Sequence, residues 1–143
     1  MDLFVYGTLM VPRVMQSVCG STQKGVEAVL PNYRRRLVHG EVYPAIVPQR
    51  GEQVSGLLYR NLSDQEFNRL DIFEGSMYQR CRVEVVANGQ PTVAQAYVLR
   101  PAFRRKLSDV PWSLEYFEVD GIEQFVTGYD GFLRTAVASD PND

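Results

Sequence analysis

The chain has 143 residues, 45% of them hydrophobic and 22% charged, the size and make-up of one globular domain with one core. A chain of this length buries about two thirds of its unfolded surface and folds without metal or disulfide support. Fifteen basic against seventeen acidic residues leave a net charge of -2, so no excess of positive charge draws it toward nucleic acid or anionic lipid.

Met1 to Tyr6 has no basic leader and runs straight into an apolar strand, Leu3 to Tyr6, and no apolar run is long enough to span a membrane. A soluble, cytoplasmic protein is the expectation. The period then changes: Val11, Val14, Met15 and Val18 recur at helical spacing, with Pro12 in the first turn and Gly20 just past the end. Between strand and helix lies Tyr6-Gly7-Thr8-Leu9. Its backbone N–H groups and the helix N-terminus are positioned to receive an anion or a developing oxyanion, or the loop is a plain tight turn; it lacks the further residues of a P-loop or dinucleotide fingerprint.

Val26 to Leu30 reads as a strand that stops at Pro31-Asn32, Arg36 to Val42 as another ending at Tyr43-Pro44, and Val54 to Arg60 as a third. The third leads into a helix with unusually complete end signals. Ser63 and Glu66 form an S-x-x-E capping box, Leu62 and Phe67 occupy the staple positions around it, and Gly75 stands where the helix should close. At roughly 100° per residue, Glu74 falls among Phe67, Leu70 and Phe73 on the apolar side. Two placements are open to it: burial there, which lifts a carboxyl pKa toward neutrality and makes Glu74 a candidate general base, or rotation toward water at a frayed end. Asp71 reads as a rim or solvent residue.

Cys81 to Val86 and Thr92 to Leu99 flank Asn88-Gly89, a hairpin signal with a slightly long loop. Trp112 to Phe117 and Ile122 to Phe132 are aromatic-rich and suit short helices over one end of the sheet. With no linker or repeat, residues 1–135 form one domain, and Ala136 to Asp143 is expected as a tail.

His39 is the only histidine and Cys19 and Cys81 are far apart, so no metal-ligand pattern can be assembled and a nucleophilic triad has no elbow to stand on. No metal and no cofactor are expected; His39 reads as a surface or sheet residue and the cysteines as inert thiols. Arg34-Arg35-Arg36 and Arg104-Arg105-Lys106 read as solvated faces. Arg80 differs, because a turn at Gly75 would return it toward Glu74, where a guanidinium binds a carboxylate or orients the base.

Four segments, Phe4-Val5-Tyr6-Gly7-Thr8-Leu9-Met10, Tyr43 to Pro48, Val54 to Tyr59, and Leu70 to Gly75 followed by Tyr78-Gln79-Arg80, resemble in order and spacing the gamma-glutamylcyclotransferase-like, or AIG2-like, family from residue 3 to about residue 100. The resemblance implies an α+β fold, a compact mixed β-barrel with a few peripheral helices. It also implies a γ-glutamyl substrate bound by the Tyr6, Gly7, Thr8 and Leu9 loop, with Arg80 nearby and Glu74 as the catalytic acid/base that yields 5-oxoproline. The alternative is a binding module that uses the same cavity without turnover. No nucleic-acid or membrane partner is expected; the leaving amine and oligomeric state stay open.

Overall fold

The computed structural model of the protein describes residues 1–138. Five strands close into a barrel in the order β1 (Leu3–Val5), β3 (Pro44–Tyr59), β2 (Val26–Leu37), β4 (Tyr78–Ala87), β5 (Gln90–Leu99). All neighbours are antiparallel except β5 and β1, which meet in parallel at Leu3 and Gln95, so the sheet is mixed, as the family resemblance implies. Alternation explains the continuous apolar run of β1. Phe4 and Tyr6 join an all-strand core inside the barrel with Ile46, Leu58, Val85 and Ala96. Leu3 and Val5 face the other way, into a core shared with α1 (Pro12–Cys19) and α2 (Asp64–Glu74).

The helix ends follow the local signals. α1 carries Pro at its start and stops at Gly20 with φ 75°. The β4–β5 hairpin turns on Asn88 and Gly89 alone, at φ 52° and 74°, so the strands run closer to the turn than the sequence suggests. Past β5, a 3₁₀ segment, Pro101–Lys106, leads to a short helix α3 (Leu114–Tyr116), a π-helical stretch at Phe117–Gly121, and helices α4 (Ile122–Gly128) and α5 (Asp130–Ala138). These lay Phe117, Phe125, Tyr129 and Phe132 against Phe73 and Tyr43, with ring centroids 4.8 to 6.2 Å apart across the cluster.

Two strand expectations are corrected. β2 does not stop at Pro31-Asn32: Asn32 adopts φ 63°, the register against β3 shifts there, and the strand continues to Leu37. The expected strand Arg36 to Val42 is the end of β2 plus a loop, and Tyr43-Pro44 opens β3 rather than ending a strand. Residues 54–59 are the second half of that same long strand. Helix α5 runs through Ala138; most of the expected tail, residues 139–143, lies outside the described residues.

Barrel closure rests on a glycine where β3 crosses β1. A Cβ on Gly56 would lie 2.2 Å from the Val5 carbonyl oxygen and 2.8 Å from Phe4 Cζ. Gly56→Ala is expected to destabilise the protein by about 2–4 kcal/mol, read as a lower urea midpoint at unchanged slope.

Candidate functional site

Helix α2 is built as its sequence reads and then held at its far end by groups the local pattern does not show. Ser63 Oγ accepts from the Glu66 amide at 3.1 Å and Glu66 Oε1 accepts from the Ser63 amide at 2.9 Å, which closes the capping box. Phe67, Leu70 and Phe73 are buried. At the C-terminus four carbonyls lack helical partners, and each is capped. The Gly75 amide donates to Asp71 O, Arg134 Nε to Ile72 O, Arg134 Nη2 to Phe73 O, and the Tyr129 hydroxyl to both Phe73 O and Glu74 O at 3.0 and 3.1 Å. The last turn is therefore not frayed, and Glu74 stays on the protein side. Gly75 permits this packing: at φ 80°, ψ -166° it occupies a region nearly closed to other residues, and a Cβ would sit 2.6 Å from Arg134 Nη2.

The Tyr6–Leu9 loop lies opposite. A 3₁₀ turn over Thr8–Met10, closed by Met10 N to Gly7 O at 2.9 Å, separates it from α1, so the expected helix N-terminus is not at the site and the loop itself lines the cavity region. Gly7 sits so close to Pro44 that a Cβ would meet Pro44 Cγ at 2.8 Å. Arg35 pins the loop by donating from Nη1 to Tyr6 O at 2.7 Å and to Ser55 O at 3.0 Å, with its guanidinium 5.2 Å from the Trp112 ring centre. This corrects the reading of Arg34 to Arg36 as a solvated run: alternation puts Arg34 and Arg36 on Glu52 and turns Arg35 inward.

Between helix end and loop lies an inner cavity of about 30 Å³, and beside it an outer one of about 310 Å³. Tyr6, Gly7, Thr8 and Leu9 line the inner cavity; Glu74, Tyr43, Tyr78, Phe125 and Tyr129 line both. Burial raises the Glu74 carboxyl to about 8, with Arg134 pulling it down and Asp71 pushing it up. Glu74 retains some accessible surface. Because it lines both cavities, that surface tempers the desolvation without removing it. Burial also raises the hydroxyls of Tyr6, Tyr78, Tyr97 and Tyr129, so all four stay protonated at neutral pH.

Arg80 is the expected site residue that the structure keeps out of both linings. It shares the Tyr78 side of β4, but two residues along, roughly 7 Å, it meets α2 instead of the cavity. Its Nε stands 3.4 Å from Asp71 Oδ1 and its guanidinium 4.7 Å from the Phe67 ring centre. Asp71, read from sequence as a rim residue, is the link inward, accepting the Tyr97 hydroxyl at 2.6 Å. Asp71, Tyr97, Tyr129, Arg134 and Arg35 were not legible as site residues. Only Asp71, one turn before Glu74, carried a local hint. Among the described residues, no three His, Cys, Asp or Glu side chains are grouped to hold a metal ion.

A family model described as gamma-glutamyl cyclotransferase, AIG2-like, matches residues 3–114. Protein AIG2 C of Arabidopsis thaliana is 34% identical over 136 residues, 93% of this chain and 81% of its own length. AIG2-like protein C of the same plant is 33% identical over 140 residues, 93% and 78% of the two chains. An Arabidopsis thaliana protein solved in solution superposes with a TM-score of 0.66 at 31% identity, covering 99% of this chain and 85% of its own. A solved gamma-glutamyl cyclotransferase superposes at 0.64 and 18% identity over 100% and 89% of the two chains, a likeness of fold.

A carboxyl raised from 4.5 to about 8 makes stability depend on pH in the direction opposite to an ion-paired acid. Between those values the folded chain holds a proton that the unfolded chain has lost, so stability falls as pH rises through the window and levels above it. Glu74→Gln removes that slope. In urea unfolding, the variant's stability relative to wild type should rise by about 2–4 kcal/mol between pH 5 and pH 8.5; a constant difference would deny the shift.

Proposed function

The chain belongs to the gamma-glutamyl cyclotransferase, AIG2-like family, and on that premise we propose that it cyclises a γ-glutamyl amide to 5-oxoproline with release of an amine, Glu74 carrying the proton. The observation that carries the reading is a carboxyl near pKa 8 lining a cavity opposite a loop of backbone amides.

The chemistry needs one proton moved twice. The Glu74 carboxylate takes a proton from the substrate's α-ammonium group, and the freed amine attacks the γ-carbonyl carbon, forming a C–N bond and an oxyanion. Amides of Gly7, Thr8 and Leu9 are suited to stabilise that charge or to hold the α-carboxylate. The carboxylic acid then returns the proton to the departing nitrogen as the original C–N bond breaks, and Glu74 ends ionised as it began. A pKa near neutral pH suits both halves, since an ordinary glutamate is too weak a base and a very high one would give the proton up too slowly. The outer cavity, adjoining the inner one at Glu74, is the natural place for the leaving amine.

A second reading is a module that binds the γ-glutamyl group or 5-oxoproline without turnover. The inner cavity, about 30 Å³ and so close to the room one or two waters need, must widen to admit the γ-glutamyl group under either reading.

A panel of γ-glutamyl amino acids, γ-glutamylamines and glutathione, assayed for 5-oxoproline, separates the two. Turnover should fall about 10²- to 10⁴-fold in Glu74→Gln that retains its fold. Equal turnover by that variant removes Glu74 from the chemistry, and an inert panel with 5-oxoproline still bound supports the second reading. For the active substrate, kcat/KM should rise about tenfold per pH unit at acidic pH and level near pH 8, the value at which the free Glu74 carboxyl ionises.

A further inference from the structure

Four of the tyrosines lining the inner cavity use their hydroxyl protons within the protein. Tyr6 donates to Tyr97 O at 2.7 Å, Tyr78 to Pro44 O at 2.9 Å, Tyr129 to the Phe73 and Glu74 carbonyls, and Tyr97 to Asp71 Oδ1 at 2.6 Å. The directions are not free. Backbone carbonyls and a carboxylate only accept, so each phenol must be the donor, and each oxygen keeps only acceptor capacity for anything in the cavity. These four tyrosines line the inner cavity with Glu74, which adds acceptor oxygens once it is ionised, and with the rings of Phe73 and Phe125, so the phenols on this side form a wall with no proton to give.

Such a wall discriminates by chemistry. An anion set against it meets phenol oxygens that cannot donate, whereas a primary ammonium brings three donors and a charge that the aromatic faces favour, and that the Glu74 carboxyl favours once ionised. Among the four, only the Tyr97 hydroxyl is held by a charged acceptor, and that acceptor is itself clamped by Arg80, whose guanidinium lies over Phe67. The Arg80–Asp71 pair thus fixes which way the Tyr97 proton points without either charge lining the cavity.

Building on the cyclotransferase reading, we infer that the tyrosine wall is the receptor for the substrate's α-ammonium group, with Tyr97 as its principal positioning residue and Asp71, held by Arg80, keeping Tyr97 in the accepting state. The substrate class is then a γ-glutamyl amide with an unmodified, cationic α-amino group; N-acylated or deaminated analogues are excluded by the wall as well as by their lack of a nucleophile. Cyclisation converts the three-donor ammonium into a lactam with one N–H, so the product fits the wall less well than the substrate and its release is favoured.

The inference is tested by binding, separately from turnover. The probes are L-glutamine and glutaramate, which share the carboxylate and the γ-amide and differ only in the α-ammonium group. Isothermal titration of each, with 5-oxoproline measured in the same samples, gives a preference ratio. Wild type should prefer L-glutamine by at least about tenfold. Tyr97→Phe should reduce the ratio to within about threefold. Asp71→Ala, which leaves the Tyr97 hydroxyl in place but frees its proton, should do the same, whereas mere loosening of the site would weaken both ligands alike. A wild-type protein without that preference, or variants that both retain it, overturns the inference. If the preference behaves as stated while no γ-glutamyl compound yields 5-oxoproline, the ammonium receptor stands and the cyclotransferase reading fails.

Discussion

The last turn of α2 is the constraint on which the site depends. A helix leaves its final carbonyls without partners, and here Asp71, Ile72, Phe73 and Glu74 are satisfied by Gly75, Arg134 and Tyr129. Two of these caps come from the C-terminal helical region, so the segment that finishes the aromatic cluster also fixes the helix end. Glu74 is thereby kept beside Tyr43, Tyr78 and Phe125 instead of turning to water. Its position at the negative end of the helix dipole acts in the same direction as burial, against ionisation.

From that placement a division of labour follows. On the proposed cyclotransferase reading, the groups around the cavity divide into amides on the Tyr6–Leu9 side, a proton carrier at Glu74, and tyrosine oxygens whose protons are already committed. A γ-glutamyl substrate presents a carboxylate, an ammonium group and an acyl carbon, and the proposal assigns one part of the site to each. Arg134 tempers the arrangement. It caps α2 while opposing the rise of the Glu74 carboxyl, so one side chain both positions the group and keeps it within reach of neutral pH. The barrel contributes rigidity: Tyr6, Tyr78 and Tyr97 stand in or at the ends of strands, where a hydroxyl is held more closely than on a loop.

What could be read from the sequence was what short-range physics writes there. The capping box at Ser63 and Glu66, the glycine stop at Gly75, the Asn88-Gly89 turn and the Pro12 start of α1 are each decided within a few residues. Glu74 was visible for the same reason, as a charged residue out of place on an apolar helix face, and the motif order from residue 3 to about residue 100 pointed to the barrel. The misreadings share the opposite cause. Pro31-Asn32 looked like a strand end because a left-handed asparagine is commoner in turns, yet here β3 accommodates it as a register shift. Arg35 looked like one of three solvated cations, and only the closed barrel shows the Tyr6 and Ser55 carbonyls it meets. The Asp71–Tyr97 bond spans 26 positions and the Tyr129 cap 55, distances at which no periodicity connects two residues. Arg80 reads from sequence as a neighbour of Glu74, whereas the fold sets it against Asp71 and outside both linings, since a strand carries a side chain past the cavity within two residues.

The central claim is that Glu74 is a desolvated carboxyl that exchanges a proton near neutral pH. It is tested most directly by a carbon-13 NMR titration of the Glu74 side-chain carboxyl, assigned by comparison with Glu74→Gln. A midpoint near 8 is the result the structure predicts. A midpoint near 4.5, the ordinary value for a glutamate, would mean that the carboxyl is solvated and would contradict the account.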